Sequence, residues 1–156
     1  MHISFRKIDP STDFNFFSRV RRESSYYLDD ARNFNDFEVK DFLERNQINY
    51  KIVALEGKPI GYVRSSVIDY EDRQLRSVGL DLASEFRGKN YSIPIYKKLI
   101  EELSQLDLPI VLWVLDFNGR AMHIYDTVGF KKIKSYRFKQ KGSGKYCKKI
   151  MMEYKL

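Results

Sequence analysis

The sequence predicts an α/β (α+β) chain, a mixed central sheet of about six to seven strands flanked by about four helices. Three observations carry this. Stretches of period-two alternation and stretches with apolar residues three and four apart succeed one another in the order β-α-α-β-β-β-α-β-α-β-β. Turn or capping residues stand at the boundaries. One continuous apolar run, residues 109–115, is long enough for a central strand covered on both faces. At 156 residues the chain is expected to form one domain, residues 1–156, around one well-buried core.

Residues 2–8 alternate polar and apolar and read as a half-buried strand. Asp9-Pro10-Ser11-Thr12 has helix-starting chemistry, and Phe14, Phe17 and Val20 mark one face of a helix over residues 14–27. After a break at residues 29–33, Asn35 with Glu38 three residues on forms a capping-box pattern for a helix ending near Asn46. Residues 50–55 and 60–68 read as strands joined by a hairpin loop at 56–59. The turn at 69–72 leads to a strand over 73–82. A helix over 92–105 follows, with Ser92 as N-cap, Pro94 in its first turn, and Ile95, Leu99, Ile100 and Leu103 on one face. The strand at 109–115, with Trp113 read as core, precedes a short helix over 118–128 that stops at Gly129. Strands 132–138 and 146–154 close the chain around Gly142-Ser143-Gly144.

Composition narrows the function classes. With 43% apolar and 15% aromatic residues the chain is globular rather than disordered. No apolar run approaches the roughly 18 residues that cross a bilayer, and the first ten residues do not read as a signal peptide. Cys147 is the single cysteine, and no Cys/His spacing reads as a metal site, so a cytoplasmic location is expected. The net charge of +7 is uneven: nine lysines and arginines and no acidic residue lie between Asp126 and Glu153. Such a field favours an anionic partner, whether a phosphate-bearing small molecule, a nucleotide-linked substrate or nucleic acid. No recognisable nucleic-acid module accompanies it, which makes nucleic acid the weakest of these.

Two segments carry the chemistry. Residues 78–92 run from a strand through a basic turn, Arg87-Gly88-Lys89-Asn90, into a helix, an arrangement that aims backbone N–H groups and a helix's positive end at one spot. Residues 118–130 place Asn118, Ala121 and Tyr125 on one side of a helix that ends in Gly129-Phe130. The pair resembles the two signature segments of the GNAT acetyltransferase superfamily, and the element order resembles that fold over nearly the whole chain. The first segment is similar to the pattern Val-x-Pro-x-x-(Arg/Gln)-x-x-Gly-x-(Gly/Ala), matched here by Leu82, Ser84, Arg87, Asn90 and Ser92. Its main departure is Asn90 for glycine, and asparagine is the next most tolerant residue for left-handed φ. The second segment matches Asn-x-x-Ala-x-x-x-Tyr-x-x-x-Gly-Phe.

The resemblance implies acetyl-CoA as the acyl donor. Amides of Gly88, Lys89, Asn90, Tyr91 and Ser92 would hold its pyrophosphate, with Arg87 and Lys89 as nearby cations. The strand edge around Leu80, Leu82 and Ala83 would pair with the pantetheine arm, and the Leu82 amide would polarise the thioester carbonyl. Asn118 and Ala121 would line the arm, and Tyr125 would donate a proton to the departing thiolate. His123 has no role in this pattern, and Cys147 is not expected to be a nucleophile. The attacking amine needs a base, for which Glu23 ranks ahead of Asp81; alternation puts Asp81 on the sheet face opposite Leu80 and Leu82.

The acceptor region, residues 19–37, carries Arg19, Arg21, Arg22, Tyr26, Tyr27 and Arg32, which suit an anionic, ring-bearing amine such as an amino-sugar nucleotide. A peptide amine, as in ribosomal-protein N-terminal acetylation, stays open, as does a module that binds an acyl-CoA without turnover. The chain is expected to act as a monomer or homodimer, with no membrane partner.

Overall fold

The computed structural model describes residues 1–155. β1 (Ile3–Lys7) leads into α1 (Pro10–Ser24), where Asp9 caps the helix by accepting from the Ser11 amide and Pro10 supplies the first turn. The helix thus starts four residues before the apolar stripe does. A 3-10 turn, Ser25–Tyr27, follows. α2 (Asp36–Asn46) carries the complete capping box of Asn35 and Glu38. β2 (Tyr50–Leu55) and β3 (Lys58–Tyr70) are joined by a two-residue turn, shorter than expected, because Glu56 and Gly57 both take positive φ. A register shift at Val53/Ala54 accommodates Pro59 within the strand. β3 passes to β4 (Arg73–Leu82) through Glu71 and Asp72, again both at positive φ. α3 (Ser92–Leu103), β5 (Ile110–Leu115), α4 (Gly119–Val128), β6 (Phe130–Lys139) and β7 (Tyr146–Tyr154) complete the chain.

The seven strands form one mixed sheet in the order β1-β2-β3-β4-β5-β7-β6. On one face α3 and α4 cover a core of Val53, Val63, Val78, Leu82, Leu112, Val114 and Phe130, into which α3 sends Ile95, Tyr96 and Leu99. On the other face α1 and α2 cover Ile8, Tyr50, Ile52 and Tyr62 with Phe17, Val20, Val39 and Leu43. Phe17 stacks on Tyr62 at 4.6 Å between ring centres and meets Tyr50 edge-on at 5.3 Å. Further along this second face Leu75, Val111 and Met151 form a separate buried cluster, with Ile68, Tyr70 and Trp113 packed against it.

α1 is tied to the sheet by a two-pronged pair, Arg6 Nη1 and Nη2 each donating to the Asp13 carboxylate at 2.8 Å. Hydrogen bonding from Arg6 holds the buried Asp13 carboxyl below its usual range against the opposing effect of burial. A depressed carboxyl stabilises the fold above the unfolded value near 3.9, and that contribution is lost as pH falls through the folded value. Asp13→Ala is therefore expected to cost about 2 kcal/mol at pH 7. In thermal melts the gap between the variant and the parent should close as the solution is made acid.

Candidate active site

β4 and β5 run parallel but pair only at Arg76–Ile110 and Ser77–Val111. Beyond these positions the strands diverge, and a cleft of about 840 Å³ opens between them. Ladder alternation fixes which backbone groups face it. The Arg76 amide donates to Pro109 on the β5 side, and the Ala83 amide donates to Ile60 on the β3 side. Even-numbered positions of β4 therefore turn N–H toward β5, so Leu80 and Leu82 present theirs to the gap. The Ala83 amide is spent in the β3 ladder, and Ala83 does not line the cleft.

At the end of β4 the chain makes a 3-10 turn, Ser84–Phe86, and then the tight turn before α3. Gly88 takes φ +76° and Asn90 φ +63°, so asparagine does occupy the left-handed position expected of it. α3 begins at Ser92 itself, with Tyr91 in the capping position and no side chain capping the helix. The first-turn N–H groups thus have no intrachain cap, which fits an anion at this end. Gly88, Asn90, Tyr91 and Ser92 line the cleft; Lys89 is exposed and does not.

Arg87 lines the cleft and is also engaged within the chain. Its Nε donates to the Leu82 carbonyl at 2.9 Å, and its two Nη atoms donate to the Glu23 carbonyl and the Ser24 hydroxyl. It latches the end of β4 to the last turn of α1. The cation at the turn is Arg120, on the first turn of α4, whose guanidinium lies against Gly88. A Cβ on Gly88 would sit 2.8 Å from Arg120 Nη2 and would carry the strain of positive φ. Gly88→Ala is expected to weaken acetyl-CoA binding about fivefold, near 1 kcal/mol, whereas Asn90→Gly should leave it within twofold; calorimetric titration reads both.

Asn118 caps α4 by accepting from the Ala121 amide at 3.3 Å, and both residues line the cleft. One turn on, Tyr125 also lines it, with its ring edge-on to Tyr96 at 5.4 Å. Burial pushes the Tyr125 phenol up, the Tyr96 hydroxyl works against this, and the charge of Asp81 adds to it. A phenol held above its ordinary value stays protonated at neutral pH and can donate.

The two candidate bases separate clearly in space. The Glu23 carboxylate accepts from the Ser84 amide at 3.1 Å and the Ser84 hydroxyl at 2.8 Å, and it does not line the cleft. Asp81 does line it, on the α1 face of β4 and directly across from Tyr62 of β3. Burial raises the Asp81 carboxyl, opposed in turn by the Ser24 hydroxyl, the charge of Arg21, the Tyr62 hydroxyl and Arg87. Asp81 on one side of the sheet and Tyr125 on the other flank the same gap.

The floor beside Asp81 is made of residues on that same face: Arg64, Ser77, Gly79 and Trp113. Trp113, expected in the core, packs partly buried against the cluster of Leu75, Val111 and Met151, meets Tyr70 edge-on and also walls the cleft. Over the floor runs the segment after α1. It is fixed by Gln140, which donates to the carbonyls of Tyr26 and Leu28, by a bridge between Asp30 and Lys141, and by an ion pair of Asp29 with Lys149. Arg19, Arg22 and Arg32 are paired with Glu85, Asp36 and Asp30, so they do not form the free anion site read from their clustering. The one-signed basic run is likewise partly neutralised, Lys131 by Asp126, Lys134 by Glu71 and Lys149 by Asp29.

Sequence reasoning missed Arg120, Tyr96 and Arg64. Arg120 lies inside the second signature segment, and its charge was the one available signal. No helix of the described residues is long and apolar enough to cross a membrane.

Residues 13–130 match the profile of the acetyltransferase (GNAT) family. Ribosomal-protein-alanine N-acetyltransferase from Brucella melitensis shares the fold, with a TM-score of 0.81 at 15% identity and full coverage of both chains. A spermidine N-acetyltransferase chimera from Vibrio cholerae and hSSAT superposes with a TM-score of 0.81 at 20% identity, over 99% of this chain and 95% of that one. Phosphinothricin acetyltransferase from Sinorhizobium meliloti, solved with AcCoA, gives 0.79 at 16% identity, over 98% and 88%. No curated protein matches the chain in sequence. The cleft, its uncapped helix and the family profile agree: the chain belongs to the GNAT acetyltransferase family.

Proposed function

We propose that the chain transfers the acetyl group of acetyl-CoA directly to a primary amine held on the floor beside Asp81. The observation that carries this reading is the divergence of β4 from β5, which leaves the Leu80 and Leu82 amides facing a cleft flanked by a raised carboxyl and a raised phenol. The residues present fit the donor. Gly88, Asn90 and the uncapped start of α3 offer N–H groups to a pyrophosphate, with Arg120 as counter-charge. The open β4 edge offers backbone pairing to an amide-bearing arm.

In this reading acetyl-CoA supplies an activated acyl group, and the chain's residues do the rest. The Leu82 amide donates to the thioester oxygen. Asp81 takes the proton that the amine must lose to attack. Tyr125 gives its proton to the departing sulfur, so no group of the chain becomes acylated. Glu23 holds Ser84 and through it the end of β4, a positioning role.

A small-molecule acceptor fits better than a peptide, because the segment held by Gln140 runs over the floor and narrows it. The test is release of free CoA thiol on mixing the protein, acetyl-CoA and a panel of amines. Amine-dependent release at seconds-scale turnover is expected; binding of acetyl-CoA without release for any amine would reduce the chain to a binding module.

A further inference from the structure

We propose that Arg64 is an anion-binding subsite of the acceptor pocket, so that the preferred amine carries a carboxylate or phosphate on the same compact molecule. This rests on the acetyl-transfer reading for the position of the amine, but the subsite itself stands on the side chain's surroundings. Arg64 is half-buried on β3, opposite Gly79 of β4, and lines the cleft. Its Nη1 donates to the hydroxyls of Ser66 and Ser77, both at 3.2 Å, and its Nη2 to the Val78 carbonyl at 3.4 Å. All three partners are neutral, and among the described residues Arg64 forms no ion pair with a carboxylate.

The other arginines around the cleft are accounted for. Arg19, Arg22 and Arg32 have carboxylates, and Arg87 is held at the end of β4 by two carbonyls and a hydroxyl. Arg21 stacks over Phe42 at 4.4 Å and acts on Asp81. Arg64 lies on the floor itself with only neutral partners, and its charge is costly to desolvate there without a counter-ion.

The geometry also leaves the right edge of the guanidinium available. Of its five N–H donors, the three bonds above use both on Nη1 and one on Nη2. What remains is the Nε–H and the second Nη2–H, the pair that grips a carboxylate or phosphate with two parallel hydrogen bonds. Gly79 lies against this edge: a Cβ there would stand 3.4 Å from Nη2 and 3.6 Å from Nε. With no side chain at Gly79 the edge stays clear. Asp81 lies two residues further along the same face of β4, about 7 Å at the usual strand rise. An amine at Asp81 and an anion at Arg64 thus belong to one short molecule.

The experiment compares acetylation of matched amines: β-alanine against its amide, and 2-aminoethyl phosphate against ethanolamine. For the parent protein kcat/KM is expected to be at least tenfold higher for the anionic member of one pair, and which pair shows it identifies the anion. In Arg64→Met that ratio should fall toward one, while Arg64→Lys, which keeps charge but not the fork, should retain part of it. Equal rates within both pairs, or a preference for the neutral members, would overturn the subsite while leaving acetyl transfer intact. If no amine releases thiol, calorimetry of the anionic amines on the CoA-loaded protein decides. Binding lost in Arg64→Met keeps the subsite and removes the reaction; no binding to the parent protein removes the subsite.

Discussion

Tyr125→Phe is expected to lower kcat by about a hundredfold or more, the range of a lost general acid, while acetyl-CoA affinity stays within twofold. The ring remains in place, packed against Tyr96 and Phe130, so the fold and the cleft wall are kept. Only the hydroxyl goes, and with it the donor that burial keeps protonated through neutral pH. Single-turnover kinetics separates binding from chemistry. The acid's role for Tyr125 would be withdrawn by an unchanged single-turnover rate, or by a loss residing wholly in acetyl-CoA affinity.

Asp81→Asn is the second large effect, again about a hundredfold in kcat at neutral pH, and its signature is a split between activity and stability. Burial raises the Asp81 carboxyl above its ordinary value. A raised group contributes stability that is present below the unfolded value and lost as pH rises through the folded one. The ionised carboxylate is therefore the form the fold disfavours, and the neutral amide removes that cost. The variant should be nearly inactive yet melt at the same temperature or higher. Its residual rate should climb with pH as the free amine deprotonates by itself, whereas the parent rate should level off earlier. A variant that melts well below the parent would make Asp81 a structural residue instead.

Much of this site was legible because its parts are local. Helical spacing alone put Asn118, Ala121 and Tyr125 on one side, and all three line the cleft. The tolerance of asparagine for left-handed φ foretold the Asn90 turn, found at φ +63°. What was not legible depends on residues brought from far along the chain. Arg87 read as a cation beside the phosphate turn, and its further bonds to the Glu23 carbonyl and the Ser24 hydroxyl come from 64 and 63 residues away. Arg19, Arg22 and Arg32 looked like part of a free cationic cluster until Glu85, Asp36 and Asp30 were placed beside them.

Periodicity also could not show divergence between two strands. The apolar run at 109–115 reads as doubly covered, yet Trp113 opens onto the cleft once β5 leaves β4. Choice between the two carboxylates turned on the same point. Glu23 lies in the helix that borders the acceptor, but only Asp81 faces the gap, and only packing reveals that Ser84 holds Glu23.

The claim on which the account rests is that the β4 edge facing β5 is open in the free chain and is filled by the acyl donor. Backbone amide hydrogen exchange at Leu80 and Leu82, measured with and without saturating acetyl-CoA, tests it most directly. Both amides should exchange readily in the free protein and slow by at least tenfold on binding, while Ala83, already bonded to Ile60, changes far less. Unchanged exchange at Leu80 and Leu82 under saturating acetyl-CoA would contradict the account.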